Sequence, residues 1–142
     1  MTLVDANLLV YAYVPSSKHH EAARAWIEAR FSESDPVGLP WVSILAFVRI
    51  STNPRILELP LTTGEAIKIV SSWLARANLT VLSPGDRHWE ILQNLLVEGQ
   101  ATGPLVTDAH LAALAIEHGA TLASADRDFA RFPGLKLLNP LQ

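Results

Sequence analysis

The sequence predicts an α/β protein, a three-layer α/β/α sandwich around a central, mainly parallel sheet. Three observations carry that reading. Short apolar or β-branched runs at Thr2–Val4, Leu79–Leu82, Ala120–Ala123 and Leu135–Leu138 read as strands, with Leu105-Val106 as a very short additional one. Amphipathic helical stripes separate these runs, and strands that alternate with helices form parallel sheets covered on both faces. Aspartates stand at or just past two of the strand ends, Asp5 and Asp126, and Asp108 opens the helix after a third. Ligands in such sheets bind outside the carboxyl ends of the strands.

The elements follow in order. Asn7 to Ala12 reads as a short helix stopped near Pro15. Ala23, Trp26, Ile27 and Phe31 fall at helical spacing in the next segment, from Lys18 to Phe31. Ser34-Asp35-Pro36-Val37-Gly38 is turn chemistry. Pro40 suits the first position of a helix whose apolar side is Ile44, Leu45, Phe47 and Val48, ending before Asn53-Pro54. Thr62-Thr63-Gly64-Glu65 is a capping box for a helix through Ile67, Val70, Trp73 and Leu74. Trp89, Leu92 and Leu96 mark another helix over 86–98, and Asp108 to His118 is a further one that Gly119 terminates. Asp126 to Arg131 reads as a short helix. The tryptophans at 26, 41, 73 and 89 sit on helical stripes and are expected in the core or at a dimer contact.

Length and composition set bounds. The 142 residues suit a single domain over 1–142, and 49% apolar with 18% charged residues describes a globular chain. The absence of cysteine excludes disulfides and thiolate chemistry. No apolar run approaches the ~18 residues that cross a bilayer, and the N-terminus lacks a basic signal region, so a cytoplasmic protein is expected. A net charge of −3 argues against coating nucleic acid by bulk electrostatics, though not against a nuclease with concentrated acids.

Each aspartate alone has an ordinary explanation: a turn residue, a first-turn helix anion or a cap. Together, at one end of one sheet, they point to a divalent cation, because crowded carboxylates repel one another unless a cation joins them. A Mg2+ site, with Mn2+ as a substitute, that hydrolyses a phosphodiester is the expected chemistry. Asp5, Asp108 and Asp126 are the expected catalytic residues, and Asp128 joins them as a metal-binding candidate. Asn7 and Ser124 are placed to orient a ligand carboxylate or water. Arg49, in an otherwise apolar helix, and Arg127 are candidates for the phosphate backbone. Arginine outnumbers lysine eight to three, and its planar fork matches phosphate. The five histidines read as structural or surface residues.

Three stretches then match a known family in order: Asp5-Ala6-Asn7-Leu8-Leu9-Val10-Tyr11-Ala12, Thr107-Asp108-Ala109-His110-Leu111, and Ser124-Ala125-Asp126-Arg127-Asp128-Phe129. They resemble the PIN-domain nucleases and, more narrowly, VapC-type toxins of type II toxin–antitoxin systems, over essentially the whole chain. Leu39-Pro40-Trp41 and Phe47-Val48-Arg49-Ile50-Ser51-Thr52-Asn53-Pro54 resemble the mycobacterial-type branch. The resemblance implies a magnesium-dependent endoribonuclease acting on transfer or ribosomal RNA, a homodimer and neutralisation by a cognate VapB-type antitoxin. It carries the family's acidic positions onto Asp5, Asp108 and Asp126, with Asp128 at a more variable one. Many members place a glutamate before the aromatic residue matched by Phe47; here it is Ala46. The expected arrangement is one ion held through Asp5 and Asp108, with Asp126 and Asp128 assisting through water. The alternative is a catalytically weak domain that works as a binding partner in an antitoxin or repressor complex. A receiver-like phosphoryl-transfer fold is disfavoured, because Asp5 has no acidic neighbour.

Overall fold

A computed structural model describes residues Met1–Gln142. Five strands, β1 (Thr2–Val4), β2 (Val37–Pro40), β3 (Leu79–Leu82), β4 (Thr121–Ala123) and β5 (Leu137–Leu138), form one sheet. Their spatial order is β3-β2-β1-β4-β5, and every neighbouring pair is parallel. The helices are α1 (Ala6–Tyr13), α2 (His20–Ser32), α3 (Trp41–Ser51), α4 (Thr63–Leu74), α5 (His88–Glu98) and α6 (Leu105–Glu117), with a 3₁₀ turn over Arg127–Arg131.

Alternation along the central strands sorts side chains between two cores. Val4 and Ala123 face a layer containing Leu8, Ile27, Phe47 and Trp73, whereas Leu3 and Leu122 face Leu95, Leu114 and Phe129. The expected α/β/α sandwich is therefore what the chain forms. The chain runs from β1 through α1 and α2 to β2 on one side, while β4 pairs with β1 on the other. The strand order thus reverses beside β1, the position where open parallel sheets leave a crevice at their carboxyl ends.

Two expectations fail here. Val37 and Gly38 belong to β2 rather than to a turn, and Pro40 closes that strand while capping α3. All four β2 residues are buried, so the run lies in the sheet interior despite its turn-like composition. Gly38 is required by close approach: an added Cβ would lie 2.6 Å from Leu82 Cδ1 and 3.0 Å from its Cγ. Gly38→Ala is therefore expected to cost about 1–3 kcal/mol by overpacking, measured by denaturant unfolding. The second failure is Leu105-Val106, which begins α6 instead of forming a strand.

Other elements hold as expected. Thr62 accepts the Glu65 N–H and Glu65 accepts the Thr62 N–H, completing the capping box of α4. Thr62→Ala should cost about 1 kcal/mol in the same measurement. Gly119, at φ +66°, follows α6 in the left-handed region that favours glycine. Among the tryptophans only Trp73 is fully buried; Trp41 and Trp89 are 52% and 63% exposed and do not serve the core. No helix is long and apolar enough to cross a membrane.

Candidate metal centre

β1 and β4 end side by side, and their last residues fix the first acids. The Asp5 N–H donates to the Ala123 carbonyl at 2.9 Å, continuing the ladder one step past β1. Asp5 then caps α1, its Oδ1 accepting the Ala6 N–H at 2.8 Å. Its other oxygen accepts the Ser124 hydroxyl at 2.7 Å. Ser124 is buried, and its Oγ accepts the Asp126 N–H at 3.0 Å and the Asn7 Nδ2 at 3.4 Å. One hydroxyl thereby ties together the ends of β1 and β4, the start of α1 and the loop carrying Asp126. The Asn7 Oδ1 is buried without a hydrogen-bond partner, an acceptor left free beside the acids.

Asp126 in turn caps the 3₁₀ turn, its Oδ1 accepting the Asp128 N–H at 2.8 Å. This capping turns Asp128 back toward the same point. Asp108 reaches it from another layer, in the first turn of α6. Asp108, Asp126 and Asp128 each place a carboxylate oxygen within 4.8 Å of the others. Asp5 is not one of this trio; it stands beside them, next to Asp126. Asp108 thus lies in the first turn of its helix as expected, but the strand expected before it is absent, since Leu105-Val106 already belong to α6.

The electrostatics match the crowding. Asp108 is pushed up from the ordinary 3.8 to about 6, first by loss of water around it, then by the charges of Asp126, Asp5 and Asp128. Asp5 is also raised, by burial above all, although the Ser124 and Ala6 hydrogen bonds oppose the shift. A carboxyl whose folded pKa lies above its unfolded one binds its proton more tightly when folded, so its contribution to stability is lost as pH rises from about 4 to about 6. Without cations, wild type should lose stability relative to Asp108→Asn between pH 4 and pH 7. Unfolding in a chelator at both pH values measures this; equal slopes for the two proteins would contradict it. Cation affinity should fall in the opposite sense, below about pH 6, as protons compete for Asp108.

Hard oxygen donors, crowded and partly desolvated, with an unmatched amide oxygen nearby, are the donor set that Mg2+ or Mn2+ accepts. The acids open into a cavity of about 820 Å3 lined by Asp5, Asn7, Asp108 and Asp126 and, from α3, by Leu45, Ala46 and Arg49. Ala46 leaves space where a longer side chain would enter. Arg49 is exposed and forms no ion pair. Arg127 is exposed on the 3₁₀ turn and is not among the residues that line this cavity.

Sequence reasoning missed Arg131, whose positive charge bears on Asp108 and lowers its pKa while its Nη1 donates to the Gly99 carbonyl at 3.0 Å. Its position two turns of chain after Asp126 carried no motif to find it by. His110 turns away from the acids toward α5, where its Nδ1 lies 2.9 Å from the His88 Nε2. Burial above all, and then the neighbouring His88, holds the His110 pKa low, which supports a structural role.

Comparison with known proteins agrees with this architecture. The PIN domain family profile matches residues 2–135. The chain is 42% identical over 140 residues to Ribonuclease VapC37 of Mycobacterium tuberculosis, covering 99% of this chain and 97% of that one. It is 39% identical over 142 residues to Ribonuclease VapC33 of the same species, covering 100% and 99%. Among solved structures, VapBC2 from Rickettsia felis bound to a DNA fragment from its promoter superposes with a TM-score of 0.73 at 18% identity, covering 97% of both chains. Mycobacterium tuberculosis VapC20, a sarcin–ricin loop cleaving toxin, gives 0.67 at 16% identity, covering 96% and 99%. At such identities the structures show a shared fold.

Proposed function

This chain belongs to the PIN-domain family, among its VapC-type ribonucleases, and from that premise we propose that it is the toxin of a toxin–antitoxin pair, a magnesium-dependent endoribonuclease. The observation that carries the proposal is the convergence of Asp108, Asp126 and Asp128 at a cavity lined by Asp5, Asp108 and Asp126. In this reading the four carboxylates hold the cation, and Mn2+ serves in place of Mg2+. The bound cation would supply the positive charge that neutralises a phosphodiester and makes water more acidic.

The chain's own residues do the rest. Ser124 and the Ala6 N–H keep the Asp5 carboxylate oriented, so no reorganisation is needed when substrate arrives. The amide of Asn7 is held by Ser124 with its oxygen free, which suits it to position a water. Arg49 meets the RNA backbone at the wall of the cavity where Ala46 leaves room, and Arg127 contacts it outside. Ala46 offers no carboxylate where the resembled family often has a glutamate, so this wall of the cavity supplies no ligand for a second cation and presents the Arg49 charge to phosphate instead. A single firmly held cation is therefore proposed.

The partners follow from the same family reading: RNA of the transfer or ribosomal class as substrate, a VapB-type antitoxin as inhibitor, a second copy as dimer mate, and a cytoplasmic setting. Exposed Trp41 and Leu45 on α3, the helix that walls the cavity, suit a protein contact. Expression of wild type should arrest growth, whereas folded Asp5→Ala or Asp108→Ala should not. Arrest by both folded variants would sink the proposal. Ala46 also motivates a second reading, a weak enzyme that acts mainly as a binding partner. Cation titration with an RNA cleavage assay decides between them, since that reading requires neither binding nor cleavage.

A further inference from the structure

A second cavity, of about 440 Å3, adjoins the acidic one and shares Asn7 and Ile50 with it. Its size falls within the roughly 300–1,000 Å3 of small-molecule clefts. Val10 and Tyr11 of α1 line it together with Ile56, Leu57 and the polar Ser16, Lys18 and Glu58, the last three exposed. We infer that this cavity receives an unpaired guanine base of the RNA next to the phosphate held at the acidic centre, an inference that rests on the ribonuclease reading for its setting.

The segments that carry the lining are preformed. The Ser17 hydroxyl donates to the Val14 carbonyl at 2.6 Å, and the His20 Nδ1–H donates to the Tyr11 carbonyl at 2.9 Å, closing the α1–α2 loop over the end of α1. Within that loop His19 is held at φ +59°, a strained value for a non-glycine residue, and its ring meets Tyr11 edge-on at 5.9 Å. The segment with Ile56 and Leu57 is pinned by Asn53, whose carbonyl accepts both of their N–H groups at 3.1 Å. A lining that mixes aliphatic Val10, Ile50, Ile56 and Leu57 with aromatic Tyr11 suits a nucleobase, since single-stranded RNA is read by stacking and by the edges of splayed bases.

Glu58 selects the base. Its carboxylate has no ion-pair partner, nor does the ammonium of Lys18, which also lines the cavity. An ionised carboxylate is an acceptor only, with two oxygens side by side. Among the four bases only guanine presents two adjacent N–H donors, N1–H and the 2-amino group, on its Watson–Crick edge. Two parallel charge-assisted bonds follow, and Lys18 is left for a flanking phosphate.

The test uses neutral nucleosides, which the acidic centre does not repel, and amide spectra of the full chain in a chelator. Guanosine should shift Tyr11, Ser16, Lys18, Ile56 and Glu58. Inosine, lacking the 2-amino group, should bind roughly tenfold more weakly, the loss of one bond to a charged acceptor. Glu58→Gln should reduce guanosine to the inosine level while leaving the remaining spectrum unchanged. Equal binding of adenosine and guanosine, or no shift with either, would overturn the inference. So would N-acetyl-leucine amide occupying the cavity when guanosine does not, which would mark a peptide site. Because neither cation nor cleavage is needed, the two readings separate. RNA cleavage without guanosine binding refutes only the base site; guanosine binding by a protein that cuts no RNA supports the base site and refutes the nuclease.

Discussion

Asp108→Asn is expected to abolish RNA cleavage while making the cation-free protein more stable near neutral pH. The two effects have one cause. Asp108 is raised to about 6 because it is partly desolvated among Asp126, Asp5 and Asp128, so its ionised form strains the folded state at pH 7. An amide of the same shape removes the repulsion and also removes an anionic ligand. Losing a group that merely orients a ligand costs roughly 10–100-fold in metal affinity or activity, and losing a ligand should cost more. Cleavage rate, cation affinity by calorimetry and denaturant midpoint in a chelator are the three readouts. A variant with reduced activity and reduced cation-free stability would point instead to an ordinary structural carboxylate.

Phe47→Ala should cost about 3–5 kcal/mol, a large share of the roughly 5–15 kcal/mol that holds such a domain. Phe47 is fully buried in α3, with its ring 4.7 Å from that of Trp73 and 6.3 Å from that of Tyr13. Its deletion leaves a cavity between α1, α3 and α4, and the aromatic neighbours are too rigid to close it. The neighbouring Ala46 and Arg49 line the acidic cavity, so loosening α3 should also weaken RNA binding. Urea unfolding at constant m-value gives the stability change. A loss below about 1 kcal/mol would mean that α3 is not anchored through this ring.

The layers were legible because hydrophobic period and length agree in most elements: Thr2–Val4, Leu79–Leu82 and the stripe of Trp73 behave as their patterns require. β2 was hidden by chemistry. Pro36 and Gly38 read as turn residues and Pro40 as a helix start, yet Gly38 serves close strand packing against Leu82, and Pro40 ends the strand while presetting the entry to α3. Leu105-Val106 misled in the opposite sense. Two apolar residues carry no period, and Pro104 before them, at φ −59°, opens a helix.

For the site, the sequence exposed which residues carry charge but not which meet. Asp128 joins Asp108 and Asp126 because Asp126 caps the turn that follows it, a contact set by backbone geometry. Asp5 is held to one side by Ser124. The orphaned amide oxygen of Asn7, the nearby Arg131 and the cavity bearing Glu58 arise from tertiary neighbours far apart in the chain, where no spacing could announce them.

Cleavage of RNA by the purified, antitoxin-free protein, first in a chelator and then after Mg2+ or Mn2+ is restored, tests the central claim most directly. The account predicts no cutting in the chelator, full recovery with either cation, and none with Asp108→Asn under both conditions. Cutting that persists in the chelator, or a folded protein that binds the cation and leaves RNA intact, would contradict it.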